Sequence, residues 1–413
     1  MSTGKYFPIK TTTACPLKWN WSTIYLNTGI TASCHRTAFS ELTAENFVEF
    51  HNTPEKLEDR KNMLAGNWPD SNCAYCRKIE EVGGVSDRKR HLAIPNLIPQ
   101  ELDIDQTVTQ VTPTIVEIYF SNACNLGCLY CRPSLSSTIN SENQKFGKFS
   151  SNGVELIIHD GQFKDLVSYF WQWFPNGFSK VKRLHVAGGE PLIQKEFEKL
   201  LDMIEQYPSP QCELNIITNL MIDKTRLEYF VTRTKQLVMK KSLRRVDITC
   251  SIDCWGIEQE YVRWGLKLDQ WEENFKYLLD QKWLVVNVNQ TISALTIKTM
   301  PEFLIKLKEW SRIHKIGHSF SGVEPDPSYL KAEIFGSKEF VEVFDTILSL
   351  LPQDTDEAKL SYKYMQGIQT QATSGTLNTV EIQKLITFLN EKDRRRGTNW
   401  REIFSWLEKY DVV

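Results

Sequence analysis

The sequence predicts an α/β fold, in which a parallel sheet forms an open or closed barrel between a small metal-binding region and a helical extension. Strand-like and amphipathic helical segments alternate from residue 115, cysteines cluster before and at the start of that alternation, and only helical segments follow Val323. A chain of 413 residues is long enough for roughly two to three domains. We therefore predict a metal-binding domain (1–95), a linker (96–113), a barrel (114–323) and a helical extension (324–413).

The barrel is predicted by β-rich runs that are separated by amphipathic helical runs. These β-rich runs begin at Ile115, Arg183, Glu213, Arg245 and Leu284. Strand–helix–strand repeats of this length favour parallel pairing through right-handed crossovers. Ligands of such sheets bind at the carboxyl ends of the strands, so the residues directly after each strand are the candidate site residues.

The first 95 residues predict short strands, loops and one helix near Pro54 to Leu64. This region is too irregular to form a large core without help, and a bound metal would supply that help. The polar stretch from about Asn96 to Pro113 predicts a linker.

Composition excludes several function classes. Charged residues are 24% of the chain and the formal net charge is −2, so no global charge excess indicates a nucleic-acid or membrane partner. The chain shows no apolar run near the roughly 18 residues of a membrane span and begins without the apolar core of a signal peptide, so we expect a cytoplasmic location. Two basic runs, Arg88-Lys89-Arg90-His91 and Arg394-Arg395-Arg396, are interpreted as solvated surface, and Gly397 predicts a helix end.

Because thiols stay reduced in the cytoplasm, where we expect this chain, its ten cysteines favour metal or redox chemistry over disulfides. Directly after the first barrel strand, the segment SNACNLGCLYCRP places Cys124, Cys128 and Cys131 in the spacing CxxxCxxC. Three thiolates on one loop can each bind one iron of a cubane and leave the fourth iron open, as a catalytic metal centre requires. The alternative from the residues alone is a partial zinc site or reduced core thiols.

This motif resembles that of the radical S-adenosylmethionine (SAM) superfamily. The resemblance implies a partial (β/α)6 barrel of TIM type, a [4Fe-4S] cluster on the three cysteines, and SAM bound through its amino and carboxylate groups at the fourth iron. It also implies reductive cleavage of SAM to a 5′-deoxyadenosyl radical that abstracts hydrogen from a substrate, and a reducing partner such as flavodoxin or ferredoxin. Tyr130, just before the last cysteine, is expected to lie against the adenine.

The second predicted strand runs into Gly188-Gly189-Glu190-Pro191, which matches the GGEP motif of that superfamily. Glycines let the backbone approach a ligand closely, and Glu190 offers an acceptor for the ammonium group of SAM. The position of this motif one strand–helix unit after the cysteines strengthens the resemblance.

Two further strand ends fit the same superfamily. Residues 218–220 (Thr-Asn-Leu) are similar to its TNG element with leucine in place of glycine, and residues 251–253 (Ser-Ile-Asp) resemble its S-x-D element. The resemblance implies SAM contacts by Thr218, Ser251 and Asp253, although the first two are equally well read as strand-end hydrogen bonders. Arg263 is predicted to pair with a carboxylate of SAM or substrate, with a salt bridge to a nearby helix as the alternative.

A second metal site is predicted before the barrel from Cys15, Cys34, Cys73 and Cys76. The last two form a CxxC pair, and a hairpin turning at Asn27 to Gly29 would bring the first two together. The pattern C-x(13)-G-x(4)-C resembles the SPASM or twitch domains that bind an auxiliary [4Fe-4S] cluster, although those domains usually follow the barrel. A structural zinc site with four cysteine ligands is the alternative.

The substrate is predicted from the resemblance alone. Radical SAM enzymes with SPASM or twitch domains most often act on peptide or protein side chains, so such a substrate is our first expectation. A sugar, nucleoside or other small metabolite is the second, and a metal-binding protein without turnover is the third. The sequence identifies no catalytic base or radical relay; Cys254, just past Ser251, is the thiol expected to face substrate.

Overall fold

The computed structural model describes residues 13–34, 37, 39–81, 86, 88–89, 110–149, 160–323 and 327–411. The strands are β1 Trp21–Tyr25, β2 Ile30–Ala32, β3 Ser40–Glu41, β4 Ile115–Tyr119, β5 Gly127–Cys128, β6 Arg183–Ala187, β7 Glu213–Thr218, β8 Arg245–Ser251, β9 Arg263–Trp264, β10 Val285–Ile292 and β11 Ile316–Gly322. The predicted linker lies mostly outside these residues.

Helices cover the connections and the carboxy-terminal part of the chain. They are α1 Pro16–Asn20, α2 Pro54–Leu64, α3 Asp70–Glu81, α4 Ser137–Phe146, α5 Asp160–Gly177, α6 Lys195–Gln206, α7 Lys224–Met239, α8 Ile257–Val262, α9 Leu268–Asp280, α10 Met300–Trp310, α11 Val341–Leu350, α12 Asp356–Ser374, α13 Thr379–Arg396 and α14 Trp400–Ile403. The helix predicted near Pro54 to Leu64 is present with those bounds. No helix in the described part of the chain is long and apolar enough to cross a membrane.

The central sheet confirms the predicted α/β class. Among the described residues, nine strands form one sheet in the order β11-β10-β8-β7-β6-β4-β1-β2-β3. The six strands from β4 to β11 in this order pair in parallel, as a (β/α)6 unit requires. The sixth strand, β11, has the sequence IGHSFSG, and its lack of an apolar run explains why the sequence did not reveal it.

The amino-terminal region extends this sheet. β1 pairs in parallel with β4, and β2 and β3 continue from β1 as antiparallel strands. The predicted division at residue 95 stays a prediction, but the sheet crosses it. The hairpin predicted at Asn27 to Gly29 is the turn between β1 and β2, and Gly29 has a φ of 65° there.

The sheet has one apolar and one polar face. In β10, the buried residues Val286 and Val288 alternate with the half-buried Asn287 and Asn289. Helices cover the apolar face. For example, the ring of Phe120 packs against the ring of Phe170 in α5, with 5.4 Å between the ring centres. The polar face lines a cavity of about 870 Å³. Its walls include His185, Thr249, Asn287 and Ser319.

The carboxy-terminal helix α13 packs against α4 through charged groups. The interpretation of the basic run at 394–396 as solvated surface is wrong for two of its three members, because the side chains of Arg395 and Arg396 are only 1% and 3% exposed. Both pair with Glu142 of α4, whereas Arg394 is 56% exposed. Gly397, with a φ of 68°, ends α13 as predicted.

Candidate active site

The three predicted cluster ligands lie on the loop between β4 and α4, which we call the cysteine loop (residues 121–131). The first turn of α4 fixes its backbone. The Ser137 hydroxyl accepts a hydrogen bond from the Cys124 amide at 3.0 Å, and the Ser136 hydroxyl donates to the Leu126 carbonyl at 2.7 Å. The loop therefore lies at the carboxyl end of the first barrel strand, where the fold places ligands.

The thiols of the loop are close enough to influence one another. Burial raises the pKa of all three, and the nearby Cys128 and Cys131 raise that of Cys124 further. For Cys131 the pKa rises to about 12, with burial as the main cause and Cys128 as the second. Without a metal these thiols are neutral at pH 7, so a metal that binds them must displace protons.

Donors stand beside two of the sulfurs. The Leu126 amide and the Asn219 side-chain amide lie 3.5 Å and 3.8 Å from Cys124 Sγ. Arg263 Nη1 lies 3.9 Å from Cys128 Sγ. Such donors stabilise thiolate in preference to thiol and are the contacts through which proteins tune iron–sulfur clusters.

As the side chains stand, no three of the described histidines, cysteines, aspartates and glutamates form a group that holds a metal ion. The chemistry of the cysteine loop nevertheless fits an iron–sulfur cluster, because three soft ligands and their N–H donors come from one segment. Metal binding by Cys124, Cys128 and Cys131 stays a prediction.

The turn after β6 packs directly against the cysteine loop. A Cβ atom on Gly189 would lie 2.2 Å from the Ala123 carbonyl oxygen, and one on Gly188 would lie 2.5 Å from the ring of Tyr119. The Glu190 amide donates to that same Ala123 carbonyl at 2.7 Å. Glycine is therefore required at 188 and 189 for contact between two protein segments, in addition to any approach to a ligand.

Glu190 is fully buried and is already hydrogen-bonded within the protein. Its carboxylate accepts from the Leu192 amide at 3.1 Å, the Thr218 hydroxyl at 2.8 Å and the Asn219 amide at 2.7 Å. Burial raises its pKa to about 7 although these three donors oppose the rise. The structure thus brings Glu190 and Thr218 together, and both hold the ends of β6 and β7 in place.

Leu220 replaces the glycine of the TNG element, yet it adopts the backbone conformation that favours glycine. Its φ is 62°, in the left-handed region, and its side chain is fully buried. The Leu220 amide donates to the Thr218 hydroxyl at 2.9 Å, which stabilises the turn. A left-handed conformation costs a non-glycine residue about 1 kcal/mol, and burial of the leucine side chain offsets this cost.

Asp253 organises the other side of the loop. Its carboxylate accepts from the Tyr130 hydroxyl at 2.6 Å, from the Thr291 amide at 2.8 Å, and from Arg263 through two hydrogen bonds of 2.8 and 2.9 Å. Arg263 therefore makes the salt bridge that was the alternative to ligand binding, but with the end of β8 rather than with a helix. Ser251 lies half-buried at the same strand end.

A two-stranded ribbon explains how Arg263 reaches the loop. β5 pairs antiparallel with β9, so that Cys128 faces Arg263 and Gly127 faces Trp264. The sequence did not predict this ribbon, nor the contact between Asn219 and Cys124, because both join segments far apart in the chain. Cys254 is fully buried against Gln259, so the structure does not place its thiol toward substrate.

We call the four amino-terminal cysteines the four-cysteine group; among them, Cys34 and Cys73 pack against a small core that includes Cys15. Burial raises the pKa of Cys15, and the other three cysteines of the group add to the rise. Burial likewise raises the pKa of Cys73 to about 12, with Cys34 and Cys76 contributing. Lys18, which pairs with Asp59, brings a buried cation close enough to Cys73 to oppose this rise in the pKa of Cys73.

The fold and the site define an α/β protein whose parallel sheet presents a cysteine loop at its ligand-binding edge. No protein-family model matches the chain. A curated relative, GTP 3′,8-cyclase of Sulfurimonas denitrificans, is 23% identical over 241 residues, which are 57% of this chain and 62% of the relative. The match thus spans less than two thirds of the relative's length.

Solved structures are similar as well. A tagged form of anSMEcpe with bound AdoMet has 16% identity and a TM-score of 0.37, over 57% of this chain and 59% of that one. Streptococcus suis SuiB bound to precursor peptide SuiA has 15% identity and a TM-score of 0.34, over 83% of this chain and 64% of that one.

The cysteine loop, the strand-end motifs and the similarity to the curated relative support membership of the radical SAM superfamily. The members of this superfamily that it resembles are enzymes. The cofactors of that superfamily are SAM and a [4Fe-4S] cluster.

Proposed function

We propose that this protein is a radical SAM enzyme that holds a [4Fe-4S] cluster on Cys124, Cys128 and Cys131 and abstracts hydrogen from a peptide or protein side chain. The observation that carries the proposal is the cysteine loop at the carboxyl end of β4, with N–H donors beside Cys124 and Cys128. The cluster and SAM, when bound, supply the reducing electron and the 5′-deoxyadenosyl radical. A flavodoxin or ferredoxin is the proposed electron donor.

The chain's own residues supply position and shielding. Asp253 fixes the orientation of Tyr130, whose ring we expect against the adenine, and of Arg263, whose third nitrogen faces Cys128. Gly188, Gly189, Glu190, Thr218 and Ser251 are the remaining proposed SAM contacts. Because Glu190 and Thr218 bond to each other, we propose that they act by shaping the strand ends.

The four-cysteine group is proposed to hold a second [4Fe-4S] cluster, with structural zinc as the alternative. Support comes from the packing of Cys34 and Cys73 against the small core that includes Cys15, and from the buried cation of Lys18 nearby, which would balance the negative charge of a metal–thiolate centre. Either metal would stabilise the region by linking α1, the segment after β2 and α3.

The polar face of the sheet supports a substrate with hydrogen-bonding groups of its own. Asn289 accepts from Ser319 at 3.0 Å and from Ser321 at 3.2 Å, and Thr249 donates to Asn215 at 3.0 Å. Amides and hydroxyls of this kind match the backbone of a peptide. A nucleotide is the second candidate substrate, because the curated relative is a GTP 3′,8-cyclase.

The decisive experiment combines metal analysis with SAM cleavage. Anaerobically reconstituted protein should contain about eight irons if both sites hold clusters, and the triple variant Cys124→Ala, Cys128→Ala, Cys131→Ala about four. The reduced wild type should form 5′-deoxyadenosine and the triple variant should not. Cys212→Ala is the matched control, since Cys212 is a buried thiol at the start of β7 and away from the loop. Wild-type protein that binds full iron yet leaves SAM intact would make it a metal-binding protein without turnover.

A further inference from the structure

The last turn of α13 brings a buried arginine under the cysteine loop. Arg396 donates through Nε to Glu142 at 2.8 Å, and its guanidinium carbon lies 4.9 Å from the ring centre of Trp264. A Cβ atom placed on Gly127 would be 3.1 Å from Arg396 Nη2. The guanidinium therefore lies against the residue that directly precedes Cys128.

One nitrogen of this guanidinium lacks a partner. Arg396 Nη2 is buried, and no hydrogen-bond acceptor among the described residues reaches it. A buried N–H without an acceptor costs about 1–3 kcal/mol, which is tolerated where the group serves a function. An electron-rich cluster on the adjacent loop is a natural counterpart for such a donor.

The charge around Arg396 is unbalanced. Lys392, Arg395 and Arg396, which we call the cation group, all pair with the single carboxylate of Glu142. Arg395 shares Glu391 with the exposed Arg394, so that carboxylate is also divided between two cations. By contrast, the charge of Arg263 is cancelled by its own two-point pair with Asp253.

The positive charge of Arg396 lies directly beside the cysteine loop. The ring of Trp264, against which the Arg396 guanidinium packs, belongs to β9, and Trp264 pairs with Gly127 directly before Cys128. With a side chain that is only 3% exposed, Arg396 acts through protein rather than through water, where ions would screen it.

We propose that Arg396 is a positioning residue that raises the reduction potential of the cluster on the cysteine loop. The inference rests on the proposed function. Reduction transfers one electron from the reducing partner to the cluster and adds one negative charge, and a buried cation stabilises that more negative state. The unbalanced cation group thus makes the cluster easier to reduce by a flavodoxin or ferredoxin.

The test is a potentiometric titration of the reconstituted cluster, followed by electron paramagnetic resonance, in the full chain carrying the amino-terminal metal site. The variant Arg396→Met should shift the midpoint potential of the loop cluster to more negative values, and Arg396→Lys should restore most of the difference. Arg394→Met is the matched control, since it removes an exposed cation from the same run and should leave the potential unchanged. An unchanged potential in Arg396→Met with full iron content would overturn the inference.

A second variant covers the case in which Arg396→Met does not fold. Glu142→Gln removes the shared carboxylate, so it should shift the potential in the opposite, positive direction when measured at a pH low enough to keep Lys392 protonated, since the pKa of Lys392 is already lowered to about 8 and loses the support of Glu142. A shift to negative potential in Glu142→Gln would also overturn the inference. Failure of the proposed function is a different result, because wild-type protein would then bind no iron on the loop.

Discussion

The two cysteine groups of this molecule are assembled in different ways. The cysteine loop is one continuous segment, fixed by α4 on one side and by the pairing of β5 with β9 on the other. The four-cysteine group draws its members from the start of α1, the segment just after β2 and the middle of α3. A metal on the loop would therefore bind to a segment that the sheet already holds in place, whereas a metal in the four-cysteine group would link separate segments.

This difference predicts the largest effect. The double variant Cys73→Ala, Cys76→Ala should lose the amino-terminal metal and with it a free energy of unfolding on the order of 5 kcal/mol for that region, because metal binding there is coupled to folding. Hydrogen exchange should become fast over residues 54–81. The control is the triple alanine variant of the cysteine loop, in which exchange over 54–81 should stay slow. Equal protection in both variants, with the metal loss confirmed, would show that the comparison is wrong.

A buried ion pair beside the cysteine loop predicts the second largest effect. The carboxylate of Asp253 is fully buried and balances Arg263 beside the loop. Asp253→Asn should destabilise the protein by about 3–5 kcal/mol, because it leaves the Arg263 charge buried without a partner. Chemical denaturation measures this change. The control Asp356→Asn removes a 99% exposed carboxylate that pairs with Lys359, and it should change stability by less than about 0.5 kcal/mol. A similar loss in both variants would argue against a buried pair.

Backbone strain beside the loop gives a smaller effect. Leu220→Gly relieves a left-handed conformation but removes a fully buried side chain, so we expect a net destabilisation of about 2–4 kcal/mol. Lys241 also has a positive φ, of 57°, but its side chain is exposed. Lys241→Gly should therefore stabilise the protein by about 0.5–1 kcal/mol. Thermal or urea unfolding of both variants checks the opposite signs, and two changes of the same sign would contradict this account.

The sequence predicted the sheet and its cysteine loop because both depend on local patterns. Strands β4, β6, β7, β8 and β10 stand out in the sequence as β-rich runs, and CxxxCxxC and GGEP are short motifs. β11 escaped because its sequence is polar, and it becomes a strand by pairing with β10. The pairing of β1 with β4 joins residues about a hundred positions apart, and no local pattern encodes such a contact.

The burial of the cation group escaped prediction for the same reason. A run of three arginines at a helix end has the pattern of a solvated surface, and only the tertiary position of Glu142 draws Arg395 and Arg396 inward. Conversely, a positive φ would be predicted only for a glycine at position 220. Packing of the Leu220 side chain in the core stabilises this conformation for leucine. Tertiary packing decides both cases.

A pH-dependent effect concerns Glu190, which links the strand ends to the loop. Its pKa is about 7 in the folded protein and near 4.5 when exposed, so the folded state retains a proton that the unfolded state releases. A raised carboxyl pKa stabilises the folded state at low pH, and this contribution is lost as the pH rises through about 7. Between pH 5.5 and 7.5 the wild type should lose about 2 kcal/mol relative to Glu190→Gln, whose side chain does not titrate. Urea denaturation of both proteins at the two pH values measures this difference, and parallel pH profiles would show that Glu190 is ionised throughout and bound by its three donors as a carboxylate.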